Sequence, residues 1–251
     1  MPDALRLAIG TLTRIPVPAP RSISPRTAAW AMSSAPLIGA LLGLLCGLPL
    51  LIDSSPSTAL LLAGCSIALL AFVTRALHLD GLADTADALG SAKPAQQALE
   101  IARRSDVGPF GVTVLVLNLL LQAFALAACI EIGRGFLAFV LAVTTGRIAL
   151  TWACTSLWPA ARADGLGAAV AGSVPIAVPI TWVVLTCAAF YSSLGLAGVL
   201  SAGLGLLAGG VLLVIAKARL GGVTGDVYGS VIESTTTVCL IALALLIPHL
   251  P

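Results

Sequence analysis

The chain has 251 residues, of which 59% are apolar and 10% charged, with a formal net charge of +2. A soluble domain carries about 25% charged residues, so the composition excludes an ordinary water-soluble globule. The near-neutral balance contains no basic tract, and no nucleic-acid partner is expected.

At the N-terminus, Leu5, Ala8, Ile9, Leu12 and Ile15 recur at helical spacing, with Arg6 and Arg14 near the two ends of the series. This pattern predicts a short helix lying on the membrane surface. Pro16-Val17-Pro18-Ala19-Pro20 ends it, because proline cannot continue a helix. Residues 1–30 are read as a cytoplasmic interfacial segment. They hold no uninterrupted apolar core, so no cleavable signal peptide is expected.

From residue 31 onward the apolar residues come in long unbroken runs, the mark of membrane-spanning helices. Seven spans are drawn at roughly 31–52, 57–77, 109–130, 135–158, 174–191, 195–216 and 231–250. The expected fold is an all-α, polytopic integral membrane bundle of about seven transmembrane helices, one domain over residues 31–251. Its polar loops fall at 78–108, 159–173 and 217–230, with a short amphipathic helix expected from Ala95 to Arg104. With seven spans, Arg6, Arg14, Arg21, Arg26, Arg75, Lys93, Arg103, Arg104, Arg162, Lys217 and Arg219 share one side, and only Arg134 lies on the other. That bias makes the loop-bearing side and the N-terminus cytoplasmic, in a cytoplasmic (inner) membrane. Cys46, Cys65, Cys129, Cys154, Cys187 and Cys239 fall inside spans without a CxxC pair and read as small apolar fillers.

The densest charge stands in His78-Leu79-Asp80-Gly81-Leu82-Ala83-Asp84-Thr85-Ala86-Asp87. On a helix, Asp80, Asp84 and Asp87 lie within an arc of roughly 60°. Like charges on one stripe repel, and no Lys or Arg lies between them. A solvated helix end is the plain reading; a hard divalent cation, Mg²⁺ bridging to phosphate, is the chemical one. His78 projects off that stripe and is not expected to be a ligand or base. Asp226 and Glu233 are seven apart in a glycine-rich stretch that enters the last span, and are read as completing the acidic site or as a capped turn. Arg147 lies deep in the fourth span, as a structurally paired residue or as a phosphate clamp. Arg103, Arg104 and Asp106 precede Gly108-Pro109-Phe110-Gly111, as membrane anchors or phosphate contacts. Acidic residues, Mg²⁺ and arginines at a membrane surface point to phosphoryl transfer.

The chain resembles the cobalamin synthase family, the adenosylcobinamide-GDP ribazoletransferases. The resemblance is carried by Leu12-Thr13-Arg14-Ile15-Pro16-Val17-Pro18, by the His78–Asp87 stretch, and by Arg104-Ser105-Asp106-Val107-Gly108-Pro109-Phe110-Gly111. Gly221-Gly222-Val223-Thr224-Gly225-Asp226-Val227-Tyr228-Gly229 with Glu233 completes it. It implies transfer of α-ribazole, or its 5′-phosphate, onto adenosylcobinamide-GDP with release of GMP, and Mg²⁺ as cofactor. It implies Asp80, Asp84 and Asp87 as metal ligands, one of them a general base, with Asp226 joining the metal set. Arg104, Asp106, Arg147, Asp226 and Glu233 are expected to contact substrate or phosphate. Association with other late cobamide-assembly enzymes at the bilayer is a further expectation. A CDP-alcohol phosphatidyltransferase is the nearest alternative, although Ala83-Asp84 stands where that signature has Ala-Arg. A divalent-cation transporter is a more distant one, since the acidic residues gather at the membrane edge.

Overall fold

The computed structural model describes residues 1–52, 55–104 and 106–250, and among these all regular secondary structure is helical. In chain order the helices are α1 (Asp3–Leu12), α2 (Pro25–Ser33), α3 (Ala35–Cys46), α4 (Pro56–Val73), α5 (Leu77–Gly90), α6 (Ala95–Ile101), α7 (Pro109–Glu131), α8 (Gly135–Ala153), α9 (Gly165–Val170), α10 (Ala177–Leu220) and α11 (Gly225–Leu246). Six stretches are long and apolar enough to cross a membrane: α2 with α3, then α4, α7, α8, α10 and α11. The protein is a multi-pass membrane helical bundle.

At 44 residues, α10 would run about 66 Å if straight, twice the roughly 30 Å of a hydrocarbon core. It is not straight. Gly195 takes φ 55° and ψ −149°, a conformation that favours glycine, and breaks the helix into arms 177–194 and 196–220. Both ends of α10 lie at the same end of the bundle. Val174 N–H donates to Cys154 O at 3.1 Å, and Gly222 packs against Pro159 and Ala160. The break lies at the opposite end, around a cavity shared by Arg134, Gly195 and Ile247. Thus α10 traverses the bundle twice.

Three boundaries differ from the sequence expectation, each for a local reason. The first span begins at Pro25 rather than 31, because Ser24 caps α2 by accepting from Thr27 N–H at 3.1 Å with proline at the first turn. The second ends at Val73, where Arg75 and Ala76 adopt left-handed φ values of 59° and 54° and release the chain into α5. The last begins at Gly225, capped by the Thr224 hydroxyl on Val227 N–H at 3.2 Å. The polar stretch 78–108 is therefore mostly helix, and α5 packs between α7 and α11 with His78, Gly81, Leu82, Ala83, Thr85 and Asp87 buried.

The central post is α8, 83% buried along its apolar window against 28% for the peripheral α4. Glycines bring helices to it closely: a Cβ on Gly43 would stand 2.9 Å from Val140 Cα. Leu60, Leu61, Leu117, Leu207 and Val214 point outward, as lipid-facing positions should. Helix α1 does not lie free on the surface. Leu7, Ala8 and Leu12 bury into the same cluster as Met32, Leu150 and Val170. Arg14 anchors its exit, with its backbone N–H on Val73 O and its guanidinium 4.3 Å over the Phe72 ring.

Inside the bundle a polar network joins α7 to α11. Gln122 Nε2 donates to Glu233 Oε2 and to Thr237 Oγ1, both at 2.9 Å, and Thr237 Oγ1 donates to Asn118 Oδ1 at 2.6 Å. Arg147 on α8 faces Glu233 electrostatically and is 1% exposed. Hydrocarbon cannot satisfy these groups, so the amides, Thr237 and Glu233 pair with one another, while Arg147 turns to Val143 O and His78 Nδ1.

Candidate active site

The site is built on a crossing of α5 and the start of α11. A Cβ on Gly81 would stand 2.7 Å from Asp226 O and 2.9 Å from Asp226 Cα. A Cβ on Gly229 would stand 3.0 Å from both His78 Cα and His78 O. Two glycines thus let backbone meet backbone, and this contact brings Asp80 and Asp84 of α5 to Asp226 of α11. Asp80 is exposed, whereas Asp84 and Asp226 are half-buried. Burial, then the charges of Asp80, Asp226 and Asp87, raises the Asp84 carboxyl pKa to about 7. That shift marks concentrated negative charge on oxygen donors alone. Among the described residues, no three His, Cys, Asp or Glu side chains form a ready-made metal cage. A hard cation that keeps its waters and takes one or two carboxylates with substrate phosphate fits this donor set.

Opposite the carboxylates stands a basic wall. Arg162 feels Arg103, Asp226, Asp164 and Asp84, and its pKa is lowered by burial first and by the Arg103 charge next. Arg103 Nη2 donates to both oxygens of Asp164 at 2.8 Å, and Arg162 Nη2 donates to Leu99 O. Arg103, Arg162, Asp164 and Asp226 line one cavity of about 190 Å³ with the amino end of α11. Two neighbouring guanidinium groups at a helix N-terminus make an anion seat. A second cavity of about 160 Å³ also reaches Asp226 and is mostly apolar. Asp226, Gly225 and Leu166 line both cavities.

Residues 4–244 match the family described as cobalamin-5-phosphate synthase. The chain belongs to that family. Similar proteins include an adenosylcobinamide-GDP ribazoletransferase of Frankia casuarinae, 38% identical over 97% of this chain and 95% of the relative. One from a Nocardioides species is 38% identical over 97% and 99%, and one from Pseudomonas aeruginosa is 37% identical over 98% and 100%. No solved structure matches the chain. These relatives carry neither the phosphatidyltransferase nor the transporter name.

Against this family background, the residues singled out from sequence separate into groups. Asp80, Asp84 and Asp226 converge. Asp87 is buried, and its carboxylate caps α7: Oδ2 accepts from Gly108 N–H at 2.8 Å and Oδ1 from Gly111 N–H at 2.9 Å. Glu233 lies two turns further along α11, held by Gln122 in the buried network. Arg147 is also deep, its Nη2 3.3 Å from His78 Nδ1. Arg104 and Asp106 are exposed and line neither cavity, and Ser105 lies outside the described residues. Sequence reasoning passed over Arg162, which faces the carboxylates across 78 residues of chain. The only sequence signal was its place in a polar loop beside Asp164-Gly165.

The Asp87 geometry has a testable consequence. Asp87→Ala should destabilise the folded protein by about 1–2 kcal/mol through the lost cap, seen as a lower melting temperature in detergent, with Mg²⁺ affinity little changed. An unchanged melting temperature with weakened Mg²⁺ binding would instead give this carboxylate to the ion.

Proposed function

We propose that this chain is an adenosylcobinamide-GDP ribazoletransferase. The observation that carries this reading is the convergence of Asp80, Asp84 and Asp226 with Arg103 and Arg162 at one end of the bundle, in a chain that matches its family nearly end to end. A ribose hydroxyl of α-ribazole, or of its 5′-phosphate, attacks the cobinamide-side phosphorus. The bond from that phosphorus to the GMP oxygen breaks, GMP leaves, and the hydroxyl proton passes to the carboxylate cluster. Arg103 and Arg162 hold the diphosphate and offset the charge that gathers on it. One or two of Asp80, Asp84 and Asp226, with substrate phosphate and water, would hold Mg²⁺, which when bound supplies positive charge to the phosphate and the leaving group.

The same reading places seven crossings in the inner membrane, with α10 counted twice, the N-terminus inside and the site open to the cytoplasm. The lone extracytoplasmic cation, Arg134, against eleven on the loop side supports this orientation. Association with other cobamide-assembly enzymes would keep membrane-bound intermediates at this face.

Turnover of detergent-purified protein tests the proposal. Adenosylcobinamide-GDP and α-ribazole with Mg²⁺ should give GMP and cobalamin in equal amounts. Folded protein that releases no GMP with either ribazole form would overturn it.

A pH dependence follows from Asp84. Its folded pKa, about 7, lies above the ordinary value of 3.8, so its contribution to stability is present at low pH and is lost as pH rises from that ordinary value through 7. Metal-free protein should therefore melt at a lower temperature at pH 8 than at pH 5. Added Mg²⁺ should raise the melting temperature at pH 8 and do little at pH 5, where protons occupy the site. Equal Mg²⁺ stabilisation at both pH values would remove Asp84 from the metal set.

A further inference from the structure

The apolar cavity beside Asp226 has no part in holding the diphosphate. Thr11 and Leu12 of α1, Met32 of α2, Leu150 of α8, Val170 of α9 and Ile232 of α11 form much of its wall. Its volume is about 160 Å³, smaller than the roughly 300–1,000 Å³ of whole-ligand sites and suited to one part of a small molecule. Polarity is confined to few groups: Asp80 and Asp226 belong to the carboxylate cluster, the Thr11 and Tyr228 hydroxyls donate to Leu7 O and Gly167 O, and His78 is buried. A flat apolar ring therefore gains by entering, while its polar sugar stays at the carboxylates next to the basic cavity. The reverse placement fails physically. A diphosphate in the apolar cavity would lose water without meeting a cation, and Arg103 and Arg162 would face an uncharged ring.

His78 adds direction. A guanidinium can only donate, so the 3.3 Å contact from Arg147 Nη2 makes His78 Nδ1 the acceptor. The ring proton then sits on Nε2, which has no hydrogen-bond partner among the described residues. Hence a residue that lines the cavity carries a donor not engaged by the described residues, its ring held by a buried arginine.

Resting on the ribazoletransferase reading, we infer that this cavity seats the aromatic base of the attacking riboside, and that His78 Nε2–H donates to the bare ring nitrogen of that base. Helix α1 is then a wall of the base-binding site, which gives the N-terminal segment a role in substrate choice. His78 is a binding residue with no share in the bond-breaking step.

The test compares α-ribazole with its indole counterpart, in which C–H replaces the bare ring nitrogen. Wild-type protein should use the indole riboside at least 10-fold less well in kcat/KM, the effect of one unmet hydrogen bond. In His78→Phe that discrimination should shrink to about 1, a ratio that simple damage to the fold would not change. Leu150→Trp, which fills the cavity from α8, should raise KM for both ribosides at least 10-fold and leave KM for adenosylcobinamide-GDP unchanged. No discrimination by wild type, full discrimination by His78→Phe, or a Leu150→Trp effect on the corrinoid substrate instead would each overturn the inference. Should His78→Phe fail to fold, Leu150→Trp alone still decides the cavity. Wild-type protein inactive toward α-ribazole would strike the functional reading itself, a separate outcome.

Discussion

Asp226→Asn is expected to lower turnover by about 10²–10³-fold while the bundle stays folded. The substitution keeps the shape of the side chain and removes its charge. Folding does not depend on that charge, because Thr224 already caps α11 on Val227 N–H. The Thr224 hydroxyl donates to Asp226 Oδ2 at 3.2 Å, and an asparagine oxygen can accept the same bond. What is lost is the carboxylate of the cluster that lines the basic cavity. Activity should fall chiefly in kcat, with the Mg²⁺ concentration for half-maximal rate shifted upward and the melting temperature near wild type. Near-normal turnover with an unchanged Mg²⁺ requirement would take Asp226 out of the chemistry.

The second large effect comes from a residue with no functional group. Gly81→Val should abolish most activity, because the added atoms meet the backbone of Asp226 rather than a side chain that can turn aside. Either α5 and α11 separate, parting Asp80 and Asp84 from Asp226, or the bundle is strained by about 1–3 kcal/mol, the usual range for overpacking. Gly64 on α4 provides the control, since a Cβ there meets nothing within 4 Å. Gly64→Ala should leave turnover unchanged and stabilise its helix by up to about 1 kcal/mol. If Gly81→Val kept wild-type kcat and thermal stability, the close crossing would not be what assembles the site.

The fold was legible where hydropathy alone decides. Runs of apolar residues located the bundle, and the interruption around Ser192–Gly195 located the turn of α10, because a membrane core tolerates few alternatives to helix. Boundaries were harder where side chains set them. Ser24 starts α2 six residues early through a cap that hydropathy does not register, and Arg75-Ala76 turns the chain with no glycine, proline or asparagine to announce it. Within the site, the spacing of Asp80 and Asp84 pointed to one helix face. The roles of glycine were half visible: Gly229 reads as a place of close backbone approach, but nothing in the sequence names Gly81, 148 residues away, as its counterpart. Asp87 follows the same period as Asp84, and spacing cannot reveal that Gly108 and Gly111 bring their amides to it. Arg162 was passed over for the same reason, since its meeting with Asp226 is made by tertiary structure.

The buried network of Asn118, Gln122, Arg147, Glu233 and Thr237 bears on how the protein is made. Helices α7 and α8 leave the ribosome first, with an amide pair and a guanidinium suited to a partner that has not yet been synthesised. That partner, Glu233, arrives with the last helix. A chain cut short before α11 would leave those groups exposed to hydrocarbon, a mark by which membrane quality control can tell an unfinished molecule from a finished one. Arrival of α11 and burial of the polar core are thus one event, and the same helix delivers Asp226. The helix that completes the polar core is also the one that brings Asp226 against α5.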